Sequence, residues 1–244
     1  RPLALYHNLG EARFENVTNL LGALTLPKGF RNGRHPGSVW GAGFQPVWAD
    51  FDDDGDLDLY VANDFGFAIQ PNVMWRNDGP GEGKSWEFRD ISSSTGADLP
   101  MSGMGIAVGD YDVDGDIDMY ITNIGVNVFL RNESDGIYFS NITPTIGAEV
   151  PNVGVNLRVA WGAMFLDYDN DGDEDLYVVN GYIGDGSDIV NLDDQANILW
   201  NNGGTGTFTN VSSASGVDDI GDGRGGAYLD YNRDGCLDLY VANV

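Results

Sequence analysis

The chain has 244 residues and a formal net charge of −26, with 12 Lys and Arg against 38 Asp and Glu. This balance argues against a nucleic-acid partner, because duplex binding requires a basic face. Hydrophobic residues make up 42% of the chain and aromatic residues 11%, which is too much for a disordered acidic tail. No apolar run reaches the roughly 20 residues of a membrane-spanning helix, so we expect no membrane insertion.

Short β-branched or aromatic runs, separated by many of the 35 glycines, predict strands joined by tight turns. Two strands come first, over Leu3–Asn8 and Arg13–Thr18. From Gly41 a unit then repeats about every 60 residues: a Gly-rich strand, an acidic loop, a Tyr-containing strand, a strand ending in Asn, and an aromatic strand. The last unit contains its first two strands, ending with Leu237–Ala242.

Four antiparallel strands in a unit of this size are typical of a propeller blade. We therefore predict an all-β fold with one β-propeller domain over residues 1–244, made of four repeats. The last blade is expected to be split, with residues 225–244 joined by residues 1–18, which would remove two exposed sheet edges. Closure within one molecule, closure between molecules and membership of a larger propeller all stay open. Because the chain begins at Arg1, we expect a processed or excerpted chain.

Each acidic loop follows the pattern Asp-x-Asp/Asn-x-Asp-Gly-x-x-Asp, at Asp50–Asp58, Asp110–Asp118, Asp167–Asp175 and Asp230–Asp238. Oxygen ligands at alternate positions suit a hard cation of the size of Ca²⁺, and the Gly at position six allows a sharp turn. The pattern is not an EF-hand, because position twelve, for example Val61, lies in a predicted strand instead of providing a Glu.

Positions one, three, five, seven and nine are the predicted ligands, with position seven contributing its backbone carbonyl. The predicted metal ligands are Asp50, Asp52, Asp54, Asp56, Asp58, Asp110, Asp112, Asp114, Asp116, Asp118, Asp167, Asp169, Asp171, Asp173, Asp175, Asp230, Asn232, Asp234, Cys236 and Asp238. We expect about four Ca²⁺, with the fourth loop binding most weakly because Asn232 replaces a carboxylate. The alternative is a set of solvated acidic turns, which the fourfold repetition of one spacing disfavours.

The repeat resembles the FG-GAP/VCBS-type repeat of integrin alpha-subunit heads and of cartilage-acidic-protein-like secreted proteins. The matching residues are Asp50–Asn63, Trp75–Asn77 and the Phe-x-Asn/Asp-Val/Ile-Ser/Thr runs at Phe14–Thr18, Phe88–Ser92 and Phe208–Ser212. The resemblance implies a calcium-binding β-propeller, usually extracellular, that serves adhesion or acts as a scaffold. Such propellers usually have seven blades, so four repeats leave the mode of closure open.

Four N-glycosylation sequons begin at Asn16, Asn132, Asn141 and Asn210, and Asn132 is expected to be the most accessible because it lies in a predicted turn. The alternative is that Asn is simply the structural residue of the repeat at this place. Two inserts, residues 20–39 and 181–195, interrupt the repeat and are candidates for binding loops.

The chain has few residues suited to catalysis, since His7 and His35 are far apart and no nucleophile motif occurs. We assign no catalytic residue and no organic cofactor. We expect a secreted or cell-surface, calcium-stabilised propeller with a non-catalytic adhesion, binding or scaffold role, whose partner is a protein or glycan ligand or copies of itself. One alternative is a self-assembling filament or ring subunit joined through the split blade. Another is a carbohydrate-active enzyme or its accessory module, because carboxylate pairs are abundant.

Overall fold

A computed structural model describes residues 4–22, 42–80, 86–133, 138–149, 157–183 and 195–244 of the chain. Strands dominate these ranges, as the sequence predicts, and none of the helices found there has the length and apolar character to cross a bilayer. The strands are β1 Tyr6–Gly10, β2 Arg13–Asn16, β3 Ala42–Ala49, β4 Asp58–Asp64, β5 Val73–Pro80, β6 Trp86–Asp90, β7 Ile106–Gly109, β8 Asp118–Ile121, β9 Val128–Asn132, β10 Phe139–Asn141, β11 Ala160–Leu166, β12 Asp175–Asn180, β13 Ile198–Asn202, β14 Phe208–Asn210, β15 Gly223–Leu229 and β16 Asp238–Asn243. The short helices are a 3-10 turn at Thr18–Leu21, α1 Ser92–Thr95 and α2 Ser212–Ser215.

Three complete four-stranded antiparallel sheets confirm the predicted strand order of the repeat. Sheet 1 is β3-β4-β5-β6, sheet 2 is β7-β8-β9-β10 and sheet 3 is β11-β12-β13-β14. The register between the second and third strands is the same in each, pairing Tyr60 with Met74, Tyr120 with Phe129 and Tyr177 with Leu199. Equivalent residues of the sequence repeat therefore pair in the same strand register in all three sheets.

The remaining strands form two hairpins, the N-hairpin β1-β2 and the C-hairpin β15-β16, which are separate two-stranded sheets. Alternating side chains of each strand face opposite sides, so each sheet buries apolar residues against both neighbours. Leu5 of the N-hairpin packs on sheet 1, and Leu239 of the C-hairpin packs on sheet 3. Two further clusters join sheet 1 to sheet 2 and sheet 2 to sheet 3. The order of packed elements is thus N-hairpin, sheet 1, sheet 2, sheet 3, C-hairpin.

The first strands of the sheets approach one another, although sheets 1 and 3 are not neighbours in this order. The side chain of Gln45 in β3 exchanges hydrogen bonds with the backbone of Ile106 in β7. The rings of Phe44 and Trp161 lie 5.9 Å apart, and the guanidinium carbon of Arg224 lies 4.3 Å from the Trp161 ring centroid. The sheets are therefore arranged around the line along which their first strands meet.

The structure does not form the split blade that the sequence predicts. In the described part of the chain, β16 pairs with β15 and β1 pairs with β2, and no strand of one hairpin pairs with the other. All residues of β1 and β2 are exposed, and in the described residues no apolar cluster contains side chains of both hairpins, so no buried contact brings their edge strands together. A closed four-bladed ring is therefore not formed in this structure. The two inserts lie mostly outside the described residues.

Candidate metal centres

Each acidic loop connects the first and second strands of its unit, and its first Asp closes the turn. In the first loop the carboxylate of Asp50 accepts the backbone N–H of Asp54 at 3.1 Å and that of Gly55 at 2.9 Å. The corresponding bonds recur in the other three loops. The glycine has φ = +92° at Gly55, a value that a residue with a Cβ adopts only with strain. The positive φ of the loop at position six therefore accounts for the glycine found there.

The Asp at position five supports the loop itself. The Oδ1 atom of Asp54 accepts the backbone N–H of Asp56 at 2.9 Å, and the matching bond is present in each of the other loops. In the fourth loop this bond comes from Cys236, so the substitution at position seven leaves the backbone turn intact. All four loops therefore share one backbone conformation.

The last Asp of each complete unit is buried and ties the loop to the third strand of its sheet. Asp58 accepts the N–H of Asn77 on Oδ1 at 2.7 Å and that of Phe51 on Oδ2 at 3.1 Å. Asp175 accepts the equivalent bonds from Asn202 and Tyr168. These bonds hold one carboxylate rigidly at the base of each loop.

Three of the loops bring together carboxylate oxygens that lie within 4.8 Å of one another. The groups are Asp50, Asp52 and Asp58; Asp110, Asp112 and Asp118; and Asp167, Asp169 and Asp175. They comprise positions one, three and nine of the predicted ligand set. The side chains of positions five and seven are not part of these groups. No such group is found in the fourth loop, although that loop lies wholly within the described residues.

Burial and mutual repulsion change the acidity of these groups. Desolvation, together with repulsion from neighbouring carboxylates, raises the pKa of Asp58 and of Asp175 to about 6 and that of Asp118 to about 8. Burial also raises the pKa of Asp52 and Asp112, the residues at position three. Each cluster is therefore more stable when it binds a proton or a cation than when all of its carboxylates are ionised and without a counter-charge.

The donor set and its unused atoms fit a hard metal ion. Oδ1 of Asp52 and Oδ1 of Asp112 are buried and accept no hydrogen bond. A buried carboxylate oxygen without a partner is costly, and a cation would satisfy it. Calcium binds oxygen at 2.3–2.6 Å, so oxygens on opposite sides of one ion lie up to about 5 Å apart. The spacing within each group is compatible with this geometry.

Sequence reasoning missed the residue that flanks position three from the third strand. The Nε atom of Arg76 lies 3.7 Å from Oδ2 of Asp52, and Arg131 attracts Asp112 in the second loop. At the third site the matching residue is Asn201, whose Nδ2 donates to Oδ2 of Asp169 at 3.2 Å. The first two sites therefore contain a fixed positive charge that the third lacks. The third strands of the first two sheets end in Trp-Arg-Asn and Leu-Arg-Asn, and this repeated arginine could have indicated its role from the sequence.

The sequons coincide with a structural turn of the repeat. The side-chain oxygen of Asn141 accepts both the hydroxyl and the N–H of Thr143, and Asn16 and Asn210 make the same bonds. Asp90 makes these bonds with Ser92 in sheet 1, although it cannot carry a glycan. Glycosylation of the three exposed asparagines stays a prediction. Their shared hydrogen bonds to the residue two positions later explain why a residue of this kind recurs here.

The prediction that Asn132 is the most accessible of the four was wrong. Its exposed fraction is 0%, because it ends β9 at the interface between sheets 1 and 2. Its Nδ2 atom donates to the carbonyl of Phe51 at 2.9 Å. The asparagine serves there as a link between sheets, and Ser134 of this sequon lies outside the described residues.

Comparison with known proteins identifies the same repeat. A family model described as FG-GAP-like repeat matches residues 50–121 and 110–178, which together make up more than half of the chain. Both matches begin at the first Asp of an acidic loop. Cartilage acidic protein 1 of Xenopus tropicalis is 48% identical over 48 residues, which are 19% of this chain and 7% of that protein. The match therefore covers only a small part of that relative's length.

Proposed function

This chain belongs to the FG-GAP-like repeat family, and we propose that it is an extracellular, calcium-stabilised scaffold that binds a protein or glycan and has no catalytic activity of its own. The observation that carries the proposal is the convergence of three carboxylates at each of three equivalent loops. Adhesion and binding are consistent with the family and with a relative whose name places it in cartilage.

Charge supports calcium as the stabilising ion. Roughly half of the 38 acidic residues lie in the four loops, and the formal charge of −26 opposes compaction unless it is offset. The side chains of Asp50, Asp52 and Asp58 would hold the ion of the first site, and the same positions would hold it in the second and third. Bound calcium supplies charge neutralisation and links the loop to the sheet. An ion at about 100 times its dissociation constant adds roughly 2.7 kcal/mol per independent site.

Thermal unfolding in calcium and in chelator tests this proposal. We expect a large rise in the midpoint temperature with calcium and a much smaller rise with magnesium, since magnesium requires a tighter octahedral arrangement. Equal midpoints in calcium and chelator would refute the proposal. Asp58→Asn is the informative variant, because Asp58 would join the ion to sheet 1. Asp98→Asn is the control for the loss of one charge, because Asp98 lies outside the acidic loops, where its carboxylate accepts the hydroxyl of Ser93.

A second candidate function is self-assembly, and a specific observation favours it. The C-hairpin exposes the aromatic residues that are buried in the complete sheets: Tyr231 is 75% exposed and Tyr240 is 70% exposed. The equivalent Phe51 and Tyr60 are fully buried against sheet 2. The N-hairpin likewise exposes Phe14, whereas Phe139 and Phe208 in the same strand position are buried.

We propose that the N-hairpin of a second copy completes the sheet begun by the C-hairpin. If the new pairing has the register shared by sheets 1 to 3, Leu5 of the second copy would lie beside Tyr240. The N–H of Asn8 would then donate to Oδ1 of Asp238, just as the N–H of Asn77 donates to Oδ1 of Asp58. In this structure Asp238 accepts the N–H of Tyr231 on Oδ2. Strand addition of this kind buries the exposed aromatics and satisfies the edge of β16.

Cysteine cross-linking tests this arrangement and its direction. In a Cys236→Ser background, Leu5→Cys and Tyr240→Cys would be prepared separately and then mixed under oxidising conditions. We expect a disulfide-linked species of twice the 26.3 kDa chain mass, since paired strand positions bring Cα atoms within disulfide reach. A monomeric mass by light scattering and no linked species would contradict self-assembly. A cross-link only within a double variant would indicate closure inside one molecule.

A further inference from the structure

Glu174 occupies position eight of the third acidic loop, where the other loops have the apolar residues Leu57, Ile117 and Leu237. We propose that Glu174 couples the metal site of the third loop to that of the second, so that the two sites bind calcium cooperatively. The inference rests on the proposed calcium sites and concerns a residue outside the ligand pattern.

The side chain of Glu174 leaves its own loop and reaches the start of the second loop. Its carboxylate lies against Gly109 and close enough to the backbone N–H of Asp110, the first residue of that loop, for this group to lower its pKa. Its Oε2 atom is buried and accepts no hydrogen bond. A charged group with an unsatisfied oxygen therefore lies at the interface of sheets 2 and 3, next to a predicted ligand.

The opposite sheet provides room for this side chain. A Cβ atom at Gly109 would overlap Oε2 of Glu174. The equivalent residue at the end of the first strand is Ala49 in sheet 1 and Leu166 in sheet 3, so the space exists only beneath the second loop. Gly109 and Glu174 are thus a complementary pair across the interface.

The backbone of Glu174 is held by the same interface. Its carbonyl accepts Nδ2 of Asn202 at 3.2 Å, and the same Nδ2 donates to the carbonyl of Tyr111 at 2.7 Å. Glu174 also precedes Asp175, whose carboxylate belongs to the third site. An ion in the third loop therefore fixes the segment from which Glu174 projects onto the second loop.

Electrostatics gives the direction of the effect. The charge of Glu174 adds to that of Asp110 in a partly buried setting, which makes the empty second site less stable and the occupied site more stable. Coupling is reciprocal, so occupancy of either site favours occupancy of the other. The interface between sheets 1 and 2 has Ile117 at the matching position and should transmit no such coupling.

Site-resolved calcium titration of the whole chain tests this inference. The backbone amide of the glycine at position six reports its own loop in nuclear magnetic resonance spectra: Gly55, Gly115 and Gly172 for the first three sites. Glu174→Gln keeps the shape and removes the charge. We expect it to weaken binding at Gly115 about fivefold, leave Gly55 unchanged, and leave the midpoint of thermal unfolding in chelator unchanged or higher.

A second comparison isolates the coupling. Asp169→Asn weakens the third site. In the otherwise native chain we expect this substitution also to weaken the calcium binding that Gly115 reports for the second site. In the Glu174→Gln variant we expect no such effect on the second site. The matched control is Asp112→Asn, which weakens the second site and should leave binding at Gly55 unchanged. Calcium binding with an unaltered Gly115 titration in Glu174→Gln would overturn the inference and leave the calcium proposal standing. A lower midpoint of thermal unfolding for Glu174→Gln in chelator would show that Glu174 has only a structural role and would overturn the inference. If no glycine amide shifts with calcium, both the inference and the calcium proposal are overturned.

Discussion

The side-chain amide of Asn202 in sheet 3 donates to the backbone carbonyl of Tyr111 in the second acidic loop, at 2.7 Å. Asn132 of sheet 2 makes the same bond to Phe51 in the first loop, at 2.9 Å. The first and second acidic loops are therefore each attached to the following sheet by a buried asparagine. The proposed calcium sites lie in these same segments of chain, so the proposed stabilisation depends on that attachment.

Removing this link should destabilise the fold without removing a ligand. Asn202→Ala leaves the carbonyl of Tyr111 without its partner, and the buried polar group costs about 1–3 kcal/mol. Denaturant unfolding in saturating calcium measures the loss. Thr209→Ala, at an exposed position of strand β14, is the control. A change in unfolding free energy no larger than that of the control would contradict a linking role.

The metal-free chain should be more stable at mildly acidic pH than at alkaline pH. The folded pKa values of Asp58 and Asp175 are about 6 and that of Asp118 is about 8, all above the ordinary value of 3.8. The folded chain therefore holds more protons than the unfolded chain, and the free energy of unfolding falls as pH rises from about 4 to about 8.

Calcium displaces these protons, so its stabilising effect should grow over the same pH range. Thermal unfolding in chelator at pH 5 and pH 8, repeated in calcium, measures both trends. A metal-free chain that is more stable at pH 8 than at pH 5 would show that the buried carboxylates are not the dominant titrating groups.

The fixed positive charge of Arg76 should weaken the first site. Its guanidinium lies 3.7 Å from the carboxylate of Asp52 and competes with the incoming ion. We expect Arg76→Gln to increase the calcium affinity reported by Gly55 about threefold or more. Arg89→Gln removes an equal charge from an arginine that pairs with Asp78, and it should change the affinity much less. Weaker binding by Arg76→Gln would indicate that the arginine holds the loop in shape.

Substitution of the predicted ligand at position five should act only when calcium is present. Asp54→Ala removes the carboxylate at position five, which lies on the exposed side of the first loop. We expect a lower midpoint of thermal unfolding in calcium and little change in chelator. Asp53→Asn, at the neighbouring non-ligand position, removes one charge and should change neither. Equal losses in calcium and chelator would mean that Asp54 acts only through its bond to the N–H of Asp56.

The repeat and its loops could be predicted because they depend on local spacing. The second strand of the last unit, for example, was expected at Leu237–Ala242 and spans Asp238–Asn243. The roles of Asn132, Arg76 and Glu174 could not be predicted, since each depends on a neighbour that is distant in sequence. The separation of the two hairpins likewise could not be predicted, because a repeat pattern does not specify whether the first and last strands of the chain pair with each other.

Calorimetric titration of the metal-free chain with calcium decides whether the acidic loops bind ions. We expect saturable binding at three sites, a weaker fourth event from the loop containing Asn232 and Cys236, and a parallel rise in thermal stability. Absence of binding heat, with unchanged stability in calcium and chelator, would refute calcium binding and leave the acidic loops as solvated turns.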